Sequence, residues 1–585
     1  MPDQKRQNMK KIIFAAIVSL ILACLLTWPV PIRLNTMLVG HPGNDVWNHV
    51  WGYWWVGEAL SNGQWPDQAS GLIWPDGGTL YFIDTMQALF SWPLQLVFGP
   101  IVAYNIVVIF QLALCGFAAW LLAWRLTGDP ICAGIALIVY EMSPHLLGQA
   151  YNGISETVCA GWFPLTLWAL LRLMERPSWK NSVYLSIIGS LCILTSWYYG
   201  LFAAIGSLII LSWSAVRQGW LYEWKQVLIK LLCSAVIAGI MVIGPFLSFQ
   251  NSLNAEDALV SRDPEFVERS LLNHNITDVN AFFHPTKTPS PNLFELYGEE
   301  LIIVIYLGWL SLVLVFFALF SIRKSKQISP WVWFAAIFFV FSLGPYLNVG
   351  GEYLEYEGKR IPLPFLALYK AFPIFDRISH PFRFVIGVNL AFSLLAAHGL
   401  RSLLRRRKDA VKMAVLSAGA LFVWMELSFA SPAQLPIPCS DGKISQAYWD
   451  MNTDEEQGAV LDLPLTVPNL ERAIYVWNQS AHNRPVPWGL NDPMPRNLLQ
   501  NRLINTLIQI ESTRAMGLPA ILPELDLVIS SRVLIRQGYR YIVLHEKFYP
   551  PFKFRQVANL LKALYGEPKQ YSEDGIYVYL LEMDE

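Results

Sequence analysis

Charge is scarce in this 585-residue chain. Asp, Glu, Lys and Arg make up only 15% of it, while 54% is hydrophobic and 14% aromatic. A water-soluble domain carries roughly 25% charged residues, so the shortage, with a mean hydropathy of +0.37, argues against an ordinary soluble protein and for a bilayer. The net charge of -1 gives no global attraction to nucleic acid, and nucleic acid is not expected as a partner. Cysteine is also sparse. Six of the seven (Cys24, Cys115, Cys132, Cys159, Cys192 and Cys233) fall in or beside apolar runs, and only Cys439 lies in a clearly polar region. That leaves neither a disulfide framework nor Cys/His zinc spacing. Internal repeats and low-complexity tracts are absent as well.

What the chain has in abundance is long apolar runs. Lys5, Arg6, Lys10 and Lys11 precede an apolar stretch from Ile12 to Val30 that lacks a small-residue cleavage site, which reads as a retained signal anchor. Runs long enough to span begin near residues 12, 102, 130, 157, 183, 199, 226, 300, 331, 383 and 411, about eleven in all. With the N-terminus cytoplasmic, alternate short loops should be basic. They are: Arg125; Arg172, Arg176 and Lys180; Arg217, Lys225 and Lys230; IRKSK at 322–326; RSLLRRRK at 401–408. The segment Met86 to Phe98 is too short to span and holds Pro93; it is expected to be a re-entrant or surface-lying helix.

The expected fold is therefore mostly α, a multi-pass protein of the plasma (inner) membrane. Segments 31–101, 147–156, 250–299 and 350–382 are expected outside, as is everything after about residue 431. Two domains are expected: a transmembrane domain over 1–430, and an extracytoplasmic α/β domain over 431–585. In the latter, GAVLDLPL (458–465), YRYIVLHE (539–546) and GIYVYLLE (575–582) read as strands and FRQVANLLKALYG (554–566) as an amphipathic helix.

Candidate site residues cluster in the outer loops. In GNDVWNHVWGYWW (43–55), Trp47, Trp51, Trp54 and Trp55 share one helical face, and Asp45, Asn48, His49 and Gly52 form the neighbouring polar stripe. The plain reading is an interfacial helix with Asp45 as a capping acid and its Trp side chains at headgroup level. The functional reading gains from a second polar set: His145 in SPHLLGQ, then Tyr151, Asn152 and Glu156 in AYNGISE. A carboxylate at the top of a span is costly unless paired or facing a wet cavity; as an alternative, Ser155 and Glu156 simply open the next helix. Asp84 is a third acid, or a loop-to-helix cap. In DRISHPFRF (376–384), Arg377, His380 and Arg383 supply positive charge suited to bidentate phosphate binding, or to snorkelling and pairing with Asp376. The loop 250–299 adds Arg262, Arg269, His274 and His284, none singled out. Glu141 and Glu426 are the notable charges within spans. Trp477, His482, Arg484 and Trp488, in WNQSAHNRPVPWGLNDPMPRN (477–497), form a candidate carbohydrate surface, or a turn-rich loop over a small core.

A first span, a long outer loop carrying an acid beside an aromatic helix, and many later spans resemble the GT-C superfamily of polyprenyl-phosphate-dependent glycosyltransferases. DVWNHVW, IWPDGGTLY, MSPH, NGISE, HPFRFVIGVNLAFSLLAAHGL and GAVLDLPL resemble a branch of bacterial membrane proteins near that superfamily. The likeness covers most of the membrane region. It implies transfer of a sugar from a lipid-phosphate carrier, on the outer face, to a glycan, lipid or protein acceptor. Position after the first span carries the superfamily's loop acid onto Asp45. Many members have two adjacent acids there, whereas Val46 follows Asp45; this argues against metal coordination by a paired acid and leaves a divalent metal open as cofactor. The roles implied are Asp45 as base, Glu156 as second acid or acceptor ligand, and Asn48, His49 and Asn152 as hydrogen-bonding neighbours, with Arg377 or Arg383 on the leaving phosphate. Competing readings are a transporter or translocase of a lipid-linked sugar or other amphiphile, and a non-catalytic membrane scaffold. Mid-span charge and internal repeats would favour transport.

Overall fold

A computed structural model describes residues 2–218, 224–259, 264–290, 301–321, 328–373, 375, 377–490, 494–513 and 525–582. Arg262, Asp376 and the basic stretch 322–326 lie outside the described residues. The chain divides into two compact units, and residues 42–96 group with 441–585 rather than with the spans: one unit is 1–41, 97–247 and 262–440, the other 42–96, 248–261 and 441–585.

The first unit is the helical bundle of a multi-pass membrane protein. Among the described residues, seven helices are long and apolar enough to cross a bilayer: 6–26, 100–127, 155–175, 197–216, 224–254, 381–404 and 409–429. Four of the eleven expected runs form shorter helices. These are Gly134–Glu141, Trp179–Thr195, Trp309–Ser321 and Ser329–Ser342. At about 1.5 Å rise per residue, none reaches the ~30 Å of a hydrocarbon core alone. The run near 130 breaks at Met142 and resumes as Pro144–Tyr151. The run near 300 begins without helix over 301–308 and turns helical only at Trp309.

Lipid offers no hydrophobic drive between helices, so close packing and small residues must hold the bundle. A Cβ on Gly399 would stand 2.2 Å from the Leu314 carbonyl, so the helices Trp309–Ser321 and Val385–Leu404 approach backbone to side. Gly387 likewise admits Phe338, whose Cδ1 lies 2.0 Å from the built Cβ position. Phe163, Phe202, Phe334, Phe338 and Phe384 form one aromatic cluster, with centroids of Phe202 and Phe384 4.5 Å apart. In contrast, the most apolar window of 224–254 is only 11% buried, as suits a lipid-facing helix.

Both notable intramembrane acids are used inside this bundle. Glu426 accepts the Trp309 N–H at 2.6 Å and the Tyr306 hydroxyl at 2.5 Å, which caps the helix that starts there. Glu141 is fully buried, and its carboxylate fills the space that a side chain at Gly116 would need.

The second unit holds a four-stranded mixed sheet. Strand Ala459–Leu463 runs parallel to Tyr539–His545, which pairs antiparallel with Ile576–Leu580, itself antiparallel to Lys569–Tyr571. Three of these are the expected strands, Lys569–Tyr571 is additional, and the expected helix forms as Pro551–Tyr565. The helix Val46–Ser61 belongs to this unit. It packs on the helix Asn469–His482, where Trp51 Nε1 donates to Gln479 Oε1 at 2.9 Å. Gln479 in turn donates to the carbonyls of Gly71 and Arg484. Trp74 Nε1 reaches the Gln537 carbonyl at 2.8 Å. The aromatic stripe is therefore a core, a correction to the interfacial reading: Trp47, Trp51 and Trp55 are buried, and the rings of Trp51 and Trp55 stack at 5.6 Å. A helical aromatic stripe seen in sequence cannot distinguish lipid headgroups from a packed partner helix. The helix Thr85–Phe98 forms with Pro93 inside it and with Phe90 and Leu96 exposed.

Candidate functional site

The expected site residues form two clusters, one in each unit. In the second unit, the polar stripe of the helix Val46–Ser61 faces the segment that leads into Thr85–Phe98. Asp84 is fully buried; its Oδ2 lies 2.6 Å from His49 Nδ1, and its Oδ1 accepts Gln87 Nε2 at 2.8 Å. Side chains therefore engage both oxygens, beyond what a loop-to-helix cap would require. Gly52 matters because a Cβ there would fall 2.0 Å from Phe82 Cζ. The close approach of Phe82 closes the stripe beside His49, whose ring meets it edge-on at 6.1 Å.

Asp45 is the N-cap residue of the helix, as sequence predicts, yet its side chain makes no capping hydrogen bond. Asn48 Nδ2 donates to Asp45 Oδ1 at 3.0 Å, and Asp45 is partly exposed. The carboxylate is thus oriented by its own helix while remaining accessible, an arrangement suited to accepting a proton from a bound hydroxyl.

In the first unit, the turn between Pro144–Tyr151 and Ser155–Val158 is built around Gly153, whose φ of +74° suits glycine. His145 and Asn152 are committed to backbone here. Asn152 clamps Ile302, donating to its carbonyl at 2.5 Å and accepting its N–H at 3.0 Å. His145 Nδ1 lies 3.0 Å from the Val304 carbonyl. Both hold the non-helical 301–308 segment, whose buried backbone needs partners inside a membrane protein. Tyr151 stacks on His41 at 5.1 Å between centroids.

Glu156 and Arg383 meet as an ion pair, Nη1 to Oε1 3.0 Å, with side chains only 4% and 15% exposed. Arg383 sits at the end of the short turn Pro381–Phe384, directly before the helix Val385–Leu404, and its guanidinium lies 4.6 Å from the centroid of the Tyr198 ring. Phe384 anchors it to the aromatic cluster. The Tyr199 hydroxyl donates to the Thr157 carbonyl, tying the Glu156 turn to the start of the helix Trp197–Gln218, which also carries Tyr198. His380 Nδ1 bonds Ser379 Oγ at 2.7 Å, and Arg377 is exposed. Sequence reasoning missed Tyr198, Tyr199 and Gln87. Only the aromatic pair in SWYYG at the head of a span hinted at the first two.

The proposed carbohydrate surface of 477–497 is corrected by the structure. Trp477, His482, Arg484 and Trp488 are all buried. Arg484 donates to the carbonyls of Met451, Asp454 and Glu456, and Trp477 Nε1 to that of Gly442. These residues hold the core together.

A metal finds no ready cage. Among the described residues, no group of three or more His, Cys, Asp or Glu side chains is placed to hold an ion, and Val46 follows Asp45 where a second acid would stand.

No protein-family model matches the sequence, and no curated protein does. Solved structures do match by fold. The oligosaccharyltransferase of Archaeoglobus fulgidus, tethered to an acceptor peptide containing the NVT sequon, aligns over 99% of this chain and 74% of its own, with 12% identity and a TM-score of 0.51. A mycobacterial arabinofuranosyltransferase, AftD, aligns over 98% of this chain and 42% of its own, with 13% identity and a TM-score of 0.51. ArnT of Cupriavidus metallidurans bound to undecaprenyl phosphate aligns over 98% and 97%, with 12% identity and a TM-score of 0.44, too slight a likeness to argue from. The fold of this chain is therefore similar to that of the oligosaccharyltransferase and of AftD.

Proposed function

We propose that this protein is a membrane glycosyltransferase that moves a sugar from a polyprenyl-phosphate carrier to a glycan, lipid or protein acceptor outside the cytoplasmic membrane. Support comes from the fold shared with the oligosaccharyltransferase and AftD and from one observation above all: the Asp45 carboxylate stands partly exposed at the start of the helix Val46–Ser61, oriented by Asn48 Nδ2 at 3.0 Å. In this reading, a carboxylate oxygen of Asp45 takes the proton of the acceptor hydroxyl as that oxygen attacks the sugar C1. The bond from C1 to the carrier phosphate breaks, and the electron pair leaves with the phosphate. Asp45 then gives the proton to water.

Within the first unit, Glu156 and Tyr198 hold the Arg383 guanidinium in place, which suits it to bind an anionic group. Glu156 is then a positioning residue. His49 and Asp84 brace the helix that carries Asp45. The outward orientation of both clusters is supported by the Lys and Arg pattern of the short loops.

The test is a transfer assay on the full chain in lipid nanodiscs, with polyprenyl-phosphate sugars of several configurations offered as donors. Asp45→Asn preserves shape and the Asn48 contact, and is expected to lose ~10²–10⁴-fold in kcat. Full activity in that variant removes the assignment of the base; release of donor on the far side of a sealed vesicle without transfer supports translocation instead.

A further inference from the structure

Outside the two clusters, the second unit carries a cavity of about 340 Å³. Its walls come chiefly from 464–471 and 547–553, the segments that follow the parallel strands Ala459–Leu463 and Tyr539–His545. Ligands of open parallel sheets gather outside the carboxyl ends of the strands, and small-molecule pockets run from ~300 to 1,000 Å³.

The floor is fixed by Glu511. One of its oxygens accepts the N–H groups of Leu465 at 2.8 Å and Thr466 at 3.0 Å; the other accepts the Tyr549 hydroxyl at 2.5 Å. Lys553 donates to the Glu511 main-chain carbonyl. One carboxylate thus ties both walls together. On the rim stand Glu471 and Lys547, whose ammonium lies 4.8 Å from the Phe548 ring centroid; burial lowers the Lys547 pKa, opposed by the charges of Asp441, Asp574 and Glu471. Two carboxylates and two ammonium groups line the cavity, and their charges cancel.

We propose that this pocket binds one neutral sugar residue of a glycan. A charged ligand would meet a like charge on Glu471 or on Lys547, both of which line the cavity. A hydroxyl instead donates to a carboxylate and accepts from an ammonium. Phe548 and the proline rings offer flat apolar surface for the C–H face of the sugar. The binding stands independently of the transfer reaction.

The test uses the full chain in nanodiscs and calorimetry with three neutral trisaccharides (maltotriose, mannotriose and a galactotriose), beside trigalacturonate and triglycine. At least one neutral trisaccharide is expected to bind saturably, and Glu471→Gln and Lys547→Gln should each weaken it about tenfold, the loss of one charge-assisted hydrogen bond. Asp45→Asn should leave that affinity unchanged. Absence of saturable neutral binding, tighter binding of trigalacturonate or triglycine, unaltered affinity in both pocket variants, or loss of affinity in Asp45→Asn would each overturn the proposal.

Discussion

Removing either member of the Glu156–Arg383 pair should destabilise the bundle by unequal amounts. The pair is short, 3.0 Å, and its side chains are 4% and 15% exposed, so each charge compensates the other largely out of water. Taking away one partner of a buried pair costs about 3–5 kcal/mol, because the survivor is left uncompensated. Arg383→Gln strands Glu156 in that way, and the full amount is expected. Glu156→Gln strands Arg383, but the guanidinium keeps the Tyr198 ring at 4.6 Å, and a desolvated cation–π contact contributes about 2 kcal/mol. The expected cost falls to about 1–3 kcal/mol. In the double variant both charges are gone, so its cost should fall below the sum of the singles by a coupling of about 1–3 kcal/mol. Reversible denaturation in mixed micelles, read by the tryptophan fluorescence of the bundle, measures all three. If Glu156→Gln costs as much as Arg383→Gln, or if the two costs simply add, the pair does not hold the site as described.

Three further outcomes are expected. Gly116→Ala drives a methyl to within 1.9 Å of Glu141 Oε2 and should cost about 1–3 kcal/mol by overpacking; adding Glu141→Ala should recover most of it in the same denaturation assay. Arg484→Ala leaves the carbonyls of Met451, Asp454 and Glu456 without their buried donor, at ~1–3 kcal/mol each, so the second unit should become sensitive to limited proteolysis, with Arg484→Lys only partly protective. His482 is buried, and burial lowers its pKa from 6.5 to about 3, with Arg484 adding to the effect. The unfolded chain therefore binds the extra proton first as pH falls, and stability is lost from pH 6.5 down towards about 3. Amide exchange in the strands Ala459–Leu463 and Tyr539–His545 should accelerate over that window, and less so in His482→Gln.

Sequence made seven of the spanning helices and three of the four sheet strands of the second unit legible, because each rests on local periodicity. It could not show that the Trp stripe of Val46–Ser61 faces the helix Asn469–His482, since a partner over four hundred positions away leaves no local trace. For the same reason Trp477 and Arg484 looked like a sugar-binding surface and proved to be core. Residue types that recognise carbohydrate, aromatics beside Arg and His, are also those that satisfy buried carbonyls, and only burial separates the two uses.

Asp45 shows the converse. Its type and place read as a cap, and the backbone agrees; its side chain, however, is directed to Asn48 Nδ2 and makes no capping hydrogen bond. If that direction has functional weight, shifting the acid should matter more than removing a cap does. Asp45→Ser restores a good N-cap, so the helix should lose no more than a few tenths of a kcal/mol, while transfer falls as far as in Asp45→Asn. Equal stability with lost transfer identifies the carboxylate as catalytic. Lost stability with retained transfer would return Asp45 to a structural role.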